Sequence, residues 1–480
     1  MDEQTGRLSA IFPEACMAEG KLICSTRLVP TTAAMTKVVY CMTHNCSFSA
    51  MVRVIGTTDV SFKSVNITGS TGTGVAVWGS TGITFDGCNI NNHQEGLLVG
   101  ATVHPAIDSW NVSLIGSDVG FTGMSSTRFT GGNRTLLISS GFLVENNRMH
   151  DFGRCIYTNK VGVSANGVGV TVRKNEFRSS YHAALEFSGN DHLFELNVFH
   201  HVTSIGFDSG TIYGGRDLAS RGTVIRNNLF HDLDNPAPCN AFTSCIRNAI
   251  YLDDLEGGVT IAGNIFYHVR TAIFSNQGGD FVISNNLFLD VQVAVRQDGS
   301  RQPTGSKAAA LYSELDKVPF RGSLWQSHYP ALRRFKNWTV PSDPPAGCLN
   351  GPLNNLYSTN IVVRFAKPFY WGECECCGQG YFRGDRPHRR WVPGFCRTPI
   401  GGGCGAASND PHLKIFSLAG PWANDSAHFD IRPSNALMPD PGFVSAQPGV
   451  DLNFTLKPSS HAFKLGWKAI PEGDIGPSVA

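Results

Sequence analysis

The sequence predicts an all-β chain: a single-stranded right-handed parallel β-helix solenoid with a partly helical insertion and a Cys-rich loop. Three observations predict it. Asn followed two positions later by Phe or Met recurs as Asn147/Met149, Asn175/Phe177, Asn197/Phe199, Asn228/Phe230, Asn264/Phe266 and Asn286/Phe288. Successive asparagines stand 28, 22, 31, 36 and 22 residues apart, a fixed core with elastic spacing that marks a solenoid. The shortest interval suits three short strands and three turns, whereas TPR and ankyrin units take about 33 or 34 residues. The stretches "LFELN", "TVIRNN" and "FVISNN" are rich in the β-branched and aromatic residues that strands prefer.

Coils of such a solenoid stack at the strand spacing of about 4.8 Å, so one position of every coil forms a column. Asn suits an inward turn column because its amide donates to one neighbour and accepts from the other. The Phe or Met two residues on fills the interior, since alternate residues share a face. Weaker coils are expected at Asn66, at Asn89, at Asp118 (Asp replacing Asn) and, late in the chain, at Asn355. That gives about ten coils, above the three or so that an array needs.

Residues 1–50 read as lead-in strands carrying Cys16, Cys24, Cys41 and Cys46. Residues 51–300 are the β-helix core, with a turn-rich excursion that Cys239 and Cys245 could staple. The period breaks over 301–347, where "KAAALYSELDK" and "SLWQSHYPALRRFKNW" have helical apolar spacing. Residues 348–412 hold the late coil and a loop with Cys374, Cys376, Cys377, Cys396 and Cys404. It reads as disulfide-pinned rather than zinc-binding, because "CECC" lacks paired C-x-x-C spacing. Short strands are expected over 413–480.

At 480 residues the length allows two or three domains, but the repeat argues for one elongated body with insertions. Charged residues make up 16%, against a usual 25% or so, and glycines number 52, as closely stacked turns require. A net charge of +1 gives no footprint for nucleic acid. No apolar run approaches the 18 or more residues of a spanning helix, and no basic amphipathic helix points to a membrane surface. A monomer is expected. Fourteen cysteines and seven sequons, at Asn45, Asn66, Asn111, Asn133, Asn337, Asn424 and Asn453, point to an extracellular or secretory-pathway glycoprotein with disulfides. "MDEQTGRLSAIFP" has neither the basic start nor the apolar run of a signal peptide. The expectation is therefore an incomplete N-terminus or a protein that is not exported.

Acids, histidines and arginines concentrate between Tyr181 and Asp254. Eleven residues before successive ladder asparagines stand Glu186, Asp217, Asp253 and Ser275. Ungapped alignment puts them in one column, with adjacent carboxylates about 5 Å apart. Like charges so close push their proton affinities apart. Three readings follow: acids paired with Arg216, Arg221 and Arg247; a calcium site of carboxylates and turn carbonyls; or two catalytic carboxylates for glycosidic cleavage. His150, His200 and His231 form another column, which Arg178, Tyr267 and Leu289 share, so turn packing is expected there rather than metal. His182 and His192 flank the acidic face.

The stretches "HAALEFSGNDHLFELNVFHHV", "DSGTIYGGRDLASRGTVIRNNLFHD", "IYLDD" and "AFKLGWKAIPEGDIGP" resemble the right-handed β-helix glycoside hydrolases of family 141. The resemblance spans most of 51–300, a patch near 351–362 and the C-terminal segment. It implies action on plant- or algal-type polysaccharides, α-L-fucosidase- or xylanase-like, through two aspartates in the "DSG" and "LDD" motifs. Those are Asp208 and Asp253, with Asp254 the alternative for the second. The family's β-helix begins further upstream than Met1, and neither the Cys-rich stretch nor the Cys239 loop is a family feature.

The leading reading is thus a hydrolase using Asp208 and Asp253. His182, Glu186, Asp191, Tyr213, Arg216, Asp217 and Arg221 line its site, and no cofactor is needed. A calcium-assisted polysaccharide lyase is the alternative, with Arg216, Arg221, His182 and Tyr213 serving the uronate chemistry. A non-catalytic carbohydrate-binding β-helix is the third.

Overall fold

A computed structural model describes residues 50–101, 103, 108–204, 208–233, 247–276, 278–298, 310, 313–335, 354–371 and 434–478. It also gives short strands at 38–40, 382–383, 390–391 and 429–431. The cysteines nominated for stapling lie outside the described residues; Cys88 and Cys155, within them, are free thiols. The chain divides into two compact units, Met1–Phe187 with Asp191–Gly206 and Gly476–Ala480, and Ser188–Asn190 with Phe207–Ile475.

Each unit is a stack of parallel-strand coils, consistent with a right-handed β-helix. In the first, Thr58–Lys63, Thr81–Asp86, Trp110–Ile115, Leu143–Glu145, Thr171–Arg173 and Leu193–Glu195 pair in succession, all parallel. In the second, Val224–Arg226, Thr260–Ala262, Val282–Ser284, Asn355–Ser358 and Phe429–Ile431 do the same. Interior Phe rings stack at the coil spacing: Phe177 on Phe199 at 4.9 Å, and Phe230 on Phe266 on Phe288 at 5.0 Å.

The asparagine ladder forms. In the first unit the Oδ1 of Asn175 accepts from both the backbone N–H and the side-chain Nδ2 of Asn147, at 2.9 Å each, and Asn197 does the same for Asn175. In the second the ladder runs Asn228, Asn264, Asn286, Asn360, Asn435. The late member is therefore Asn360, not Asn355, whose amide oxygen instead accepts from the Phe281 N–H.

A second correction concerns the early coils. Asp118 pairs with Arg148, not Asn147, and Asn89 pairs with Asp118, Asn66 with Asn89. The ladder slots upstream are Val65, Cys88 and Ser117, and a one-residue offset turns a side chain to the other face. Asn66 and Asn89 accordingly lie exposed. Backbone geometry fixes this register. The residue just before each slot from Val65 to Asn360 has φ between 51° and 67°: Ser64, Gly87, Gly116, Asn146, Lys174 and Leu196 in the first unit, Asn227, Gly263, Asn285 and Thr359 in the second. A second left-handed position follows four residues after each of these slots, from Gly69 and Asn92 through Asp151 to Asp232, His268 and Arg364. These two bends make the coil.

The insertion is helical where described, at Ser323–His328 and Pro330–Phe335, with Trp325 buried. Of the strands expected over 413–480, the described residues show Phe429–Ile431 and Ala436–Leu437; beyond them come turns and the short helices His461–Lys464 and Glu472–Asp474. They are tied down by side chains instead: Asn285 bonds both the N–H and the carbonyl of Lys468.

Candidate active site

In the second unit, strand Ser209–Gly215 lies parallel to Arg247–Asp253, which lies beside Ile265–Asn276. Ile212, Ile250 and Ile273 align and are fully buried. Alternation turns their neighbours Tyr213, Tyr251 and Phe274 to the opposite face. There the Tyr213 ring meets Tyr251 edge-on at 5.5 Å, Tyr251 stacks on Phe274 at 4.6 Å, and the Arg296 guanidinium covers Phe274 at 4.4 Å. This aromatic wall aims two hydroxyls at one carboxylate.

That carboxylate is Asp253. Its Oδ1 accepts from the Tyr251 hydroxyl at 3.0 Å, the Asn276 amide at 2.8 Å and the Asp254 N–H at 2.8 Å; its Oδ2 accepts from the Tyr213 hydroxyl at 2.9 Å. The Tyr251 hydroxyl also stands 3.0 Å from Asp208 Oδ1. Both oxygens touch one hydroxyl, so they are no further apart than twice that distance. Asp208 is exposed and Asp253 is 5% exposed. Arg216, with 67% of its side chain exposed, donates from Nε to Asp254 Oδ2 at 3.1 Å, and its N–H bonds the Asp254 carbonyl. Burial first, then the charge of Asp253, pushes both tyrosine hydroxyls far above the usual phenol range. Asp254 and Leu255 are consecutive left-handed residues, at φ 38° and 71°. Such strain in non-glycine residues persists only where surrounding contacts impose it.

The expected carboxylate column does not form. Asp253 pairs with Gly215, and Ser275 pairs with Leu252. The turns after these strands, residues 216–223, 254–259 and 277–281, differ in length, so a fixed count back from the ladder drifts. Asp217 is instead enclosed, accepting from the Ala219 N–H at 3.0 Å. Beside it lies Glu256, fully buried, whose carboxyl burial raises to about 8, with Asp217 adding to the effect. Arg221 is buried too; it pairs with Asp280 at 3.3 Å and bonds the Leu218 and Ser220 carbonyls. Its stem crosses Gly258, where a Cβ would stand 2.1 Å from Arg221 Cδ. Asp217 and Arg221 thus belong to a buried knot beneath the Asp254 turn, not to an accessible lining.

Asp208, Asp253, Asp254, Tyr213 and Arg216 are brought together. His182, Glu186 and Asp191 belong to the first unit. There burial raises the Glu186 carboxyl, with Arg128 and Lys160 partly offsetting it, and Asp191 occupies a left-handed turn. His192 is 1% exposed; its Nδ1 accepts from the Val170 N–H and its ring stacks on Phe194, so it is structural. Sequence reasoning missed Tyr251, Asn276 and Glu256. Tyr251 was findable: two residues before Asp253, it had to share that face. Among the described residues no group of three His, Cys, Asp or Glu side chains is arranged to hold a metal ion.

A family profile described as "Right handed beta helix region" matches residues 161–304. No curated protein matches the chain. Similar solved structures include XylC in complex with xylose (10% identity, 65% of this chain and 52% of that one, TM-score 0.39) and a "Glycoside hydrolase" (12%, 45% and 38%, TM-score 0.34). A third is PfbA, a surface adhesin of Streptococcus pneumoniae (12%, 51% and 61%, TM-score 0.34). The chain spans between 38% and 61% of the length of these structures. Likeness so distant carries no argument about activity, and none of it reaches the narrower family 141.

Proposed function

We propose that this protein is a retaining glycoside hydrolase acting on a polysaccharide or its side chains, with Asp208 as acid and base and Asp253 as nucleophile. One observation carries the reading: an oxygen of each carboxyl lies 3.0 Å from the same Tyr251 hydroxyl. Retaining enzymes hold their carboxyls about 5 Å apart, whereas inverting ones need about 6.5 to 9.5 Å to admit a water. Four donors converge on Asp253, which accepts from each and is held in place by them. Asp208, exposed, is the carboxyl able to exchange protons with substrate and water. The sugar approaches over the open edge made by Asp208 and Arg216. The resemblance carried by the "DSG" and "LDD" motifs supports α-L-fucoside or xylan-type substrates, and the fourteen cysteines and seven sequons support an extracellular setting.

The test is a screen of fucosylated and xylan-type oligosaccharides, with the anomer of the first product read by NMR. Retention is expected, and Asp208→Asn and Asp253→Asn should each cost roughly 10²-fold or more in kcat with unchanged circular dichroism. An inverted product, or full activity in either variant, refutes the assignment. An unsaturated sugar end absorbing in the ultraviolet would establish the lyase. The near-enclosure of Asp253 favours a second reading, a β-helix that binds carbohydrate without cleaving it; glycan binding with no turnover of any substrate would establish that.

A further inference from the structure

Tyr251 has one hydroxyl proton and faces two carboxyl oxygens at equal distance, 3.0 Å from Asp208 Oδ1 and 3.0 Å from Asp253 Oδ1. A hydroxyl donates one hydrogen bond at a time. With both carboxyls ionised, one contact is oxygen against oxygen with no proton between. With one proton on Asp208, both contacts are satisfied: Asp208 donates to Tyr251, and Tyr251 donates to Asp253. The opposite polarity is disfavoured, because Asp253 Oδ1 already accepts from the Asp254 N–H and the Asn276 amide, and Oδ2 from Tyr213. Phe274 and Tyr213 clamp the ring, so the hydroxyl turns while the ring stays.

Resting on the hydrolase reading above, we infer that Tyr251 is a positioning residue, a two-way hydrogen-bond switch whose proton follows the negative charge between Asp208 and Asp253. In the first step Asp208 gives its proton to the glycosidic oxygen. The electron pair of the broken C–O bond leaves with that oxygen, and an Asp253 oxygen bonds the anomeric carbon. Charge now rests on Asp208, and the Tyr251 proton turns to it. In the second step Asp208 takes a proton from water, whose oxygen bonds the anomeric carbon. The ester electron pair returns to Asp253, and Tyr251 turns back. Among the described residues the other charged or titratable groups at this face are Tyr213, Arg216, Asp254 and Arg296, whose guanidinium lies over Phe274. Among the described residues only Tyr251 hydrogen-bonds the Asp208 carboxyl.

The bridge stabilises the pair carrying one proton against the pair carrying two or none. Tyr251→Phe, which keeps the ring, should therefore narrow the pH–rate bell from both sides. It should also lower kcat at the optimum roughly 10- to 100-fold. A variant slower by that factor but with unmoved edges would show a packing role only and overturn the switch. The hydroxyl is also read without turnover, as a downfield proton resonance in NMR. It should be present in the native protein, shifted by Asp208→Asn and absent in Tyr251→Phe. If the native protein cleaves nothing, the hydrolase reading fails and this resonance alone decides the bridge; its absence sinks it.

Discussion

Two polar arrays occupy the coils of the second unit, and they are built on opposite plans. The ladder from Asn228 to Asn435 repeats one residue, each side chain accepting from the member before it and donating to the member after. The Asp253 site repeats nothing: a carboxylate gathers two phenols, an amide and a backbone N–H from three neighbouring strands and a turn. Repetition satisfies buried groups with no charge. Convergence concentrates charge against aromatic rings, a cost that the proposed hydrolysis accounts for.

The sharpest test of that contrast is to break one rung. Asn264→Ala removes the acceptor for the Asn228 N–H and the donor for the Ile225 carbonyl, both of them enclosed. Each orphaned buried group costs about 1 to 3 kcal/mol, so a loss of roughly 3 to 5 kcal/mol is expected in urea unfolding. Tyr251→Phe, which orphans no backbone group but removes a hydrogen bond to a carboxylate, should cost less, about 1.5 to 3 kcal/mol, by the same measurement. Equal losses would mean that the two arrays do the same work.

The contrast also explains what the sequence could tell. The ladder was legible from Asn147 to Asn286 because Phe or Met marks each slot from two residues away. It faded at Asn360 and Asn435, where Val362 and Leu437 take the interior position, and at Val65, Cys88 and Ser117, where the slot holds no Asn. There the exposed Asn66 and Asn89 drew attention one residue too late. What the slots from Val65 to Asn360 share is the two left-handed bends, occupied by Ser, Gly, Asn, Lys, Leu, Thr, Phe, Asp, His or Arg alike, and backbone conformation leaves no single-letter trace. Asp208 and Asp253 were nominated by their motifs. Their meeting through Tyr251 depends on strand register, which unequal turns hide from any fixed count.

Glu256 sharpens the comparison from beneath the site, since it is a buried carboxyl inside neither array. Its folded value, about 8, lies above the ordinary 4.5, because burial and then Asp217 disfavour the charged form. Between those values the folded protein holds a proton that the unfolded chain releases, so stability falls as pH rises from 4.5 to about 8 and levels off beyond. Glu256→Gln should flatten that decline and leave the variant relatively more stable at pH 8 than at pH 5. An identical pH dependence in both proteins would show that Glu256 keeps its charge when folded.

The smallest effect belongs to the first unit, where His150 stands between Asp118 at 3.1 Å and Asp151 at 2.8 Å. The Asp118 hydrogen bond raises the imidazole above its ordinary 6.5, burial opposes that, and Asp151 adds to the rise. A raised histidine contributes stability fully below its unfolded value and loses it as pH climbs through the folded one. Thermal unfolding followed between pH 5.5 and 8.5 should therefore show a modest decline above pH 6.5 that His150→Gln removes. Because His150 fills a column that Arg178 and His200 share in the next coils, its charge serves the turn and not a site. The same substitution should leave any sugar hydrolysis untouched, and a fall in kcat would place chemistry on a face that the ladder-type logic of repetition reserves for folding.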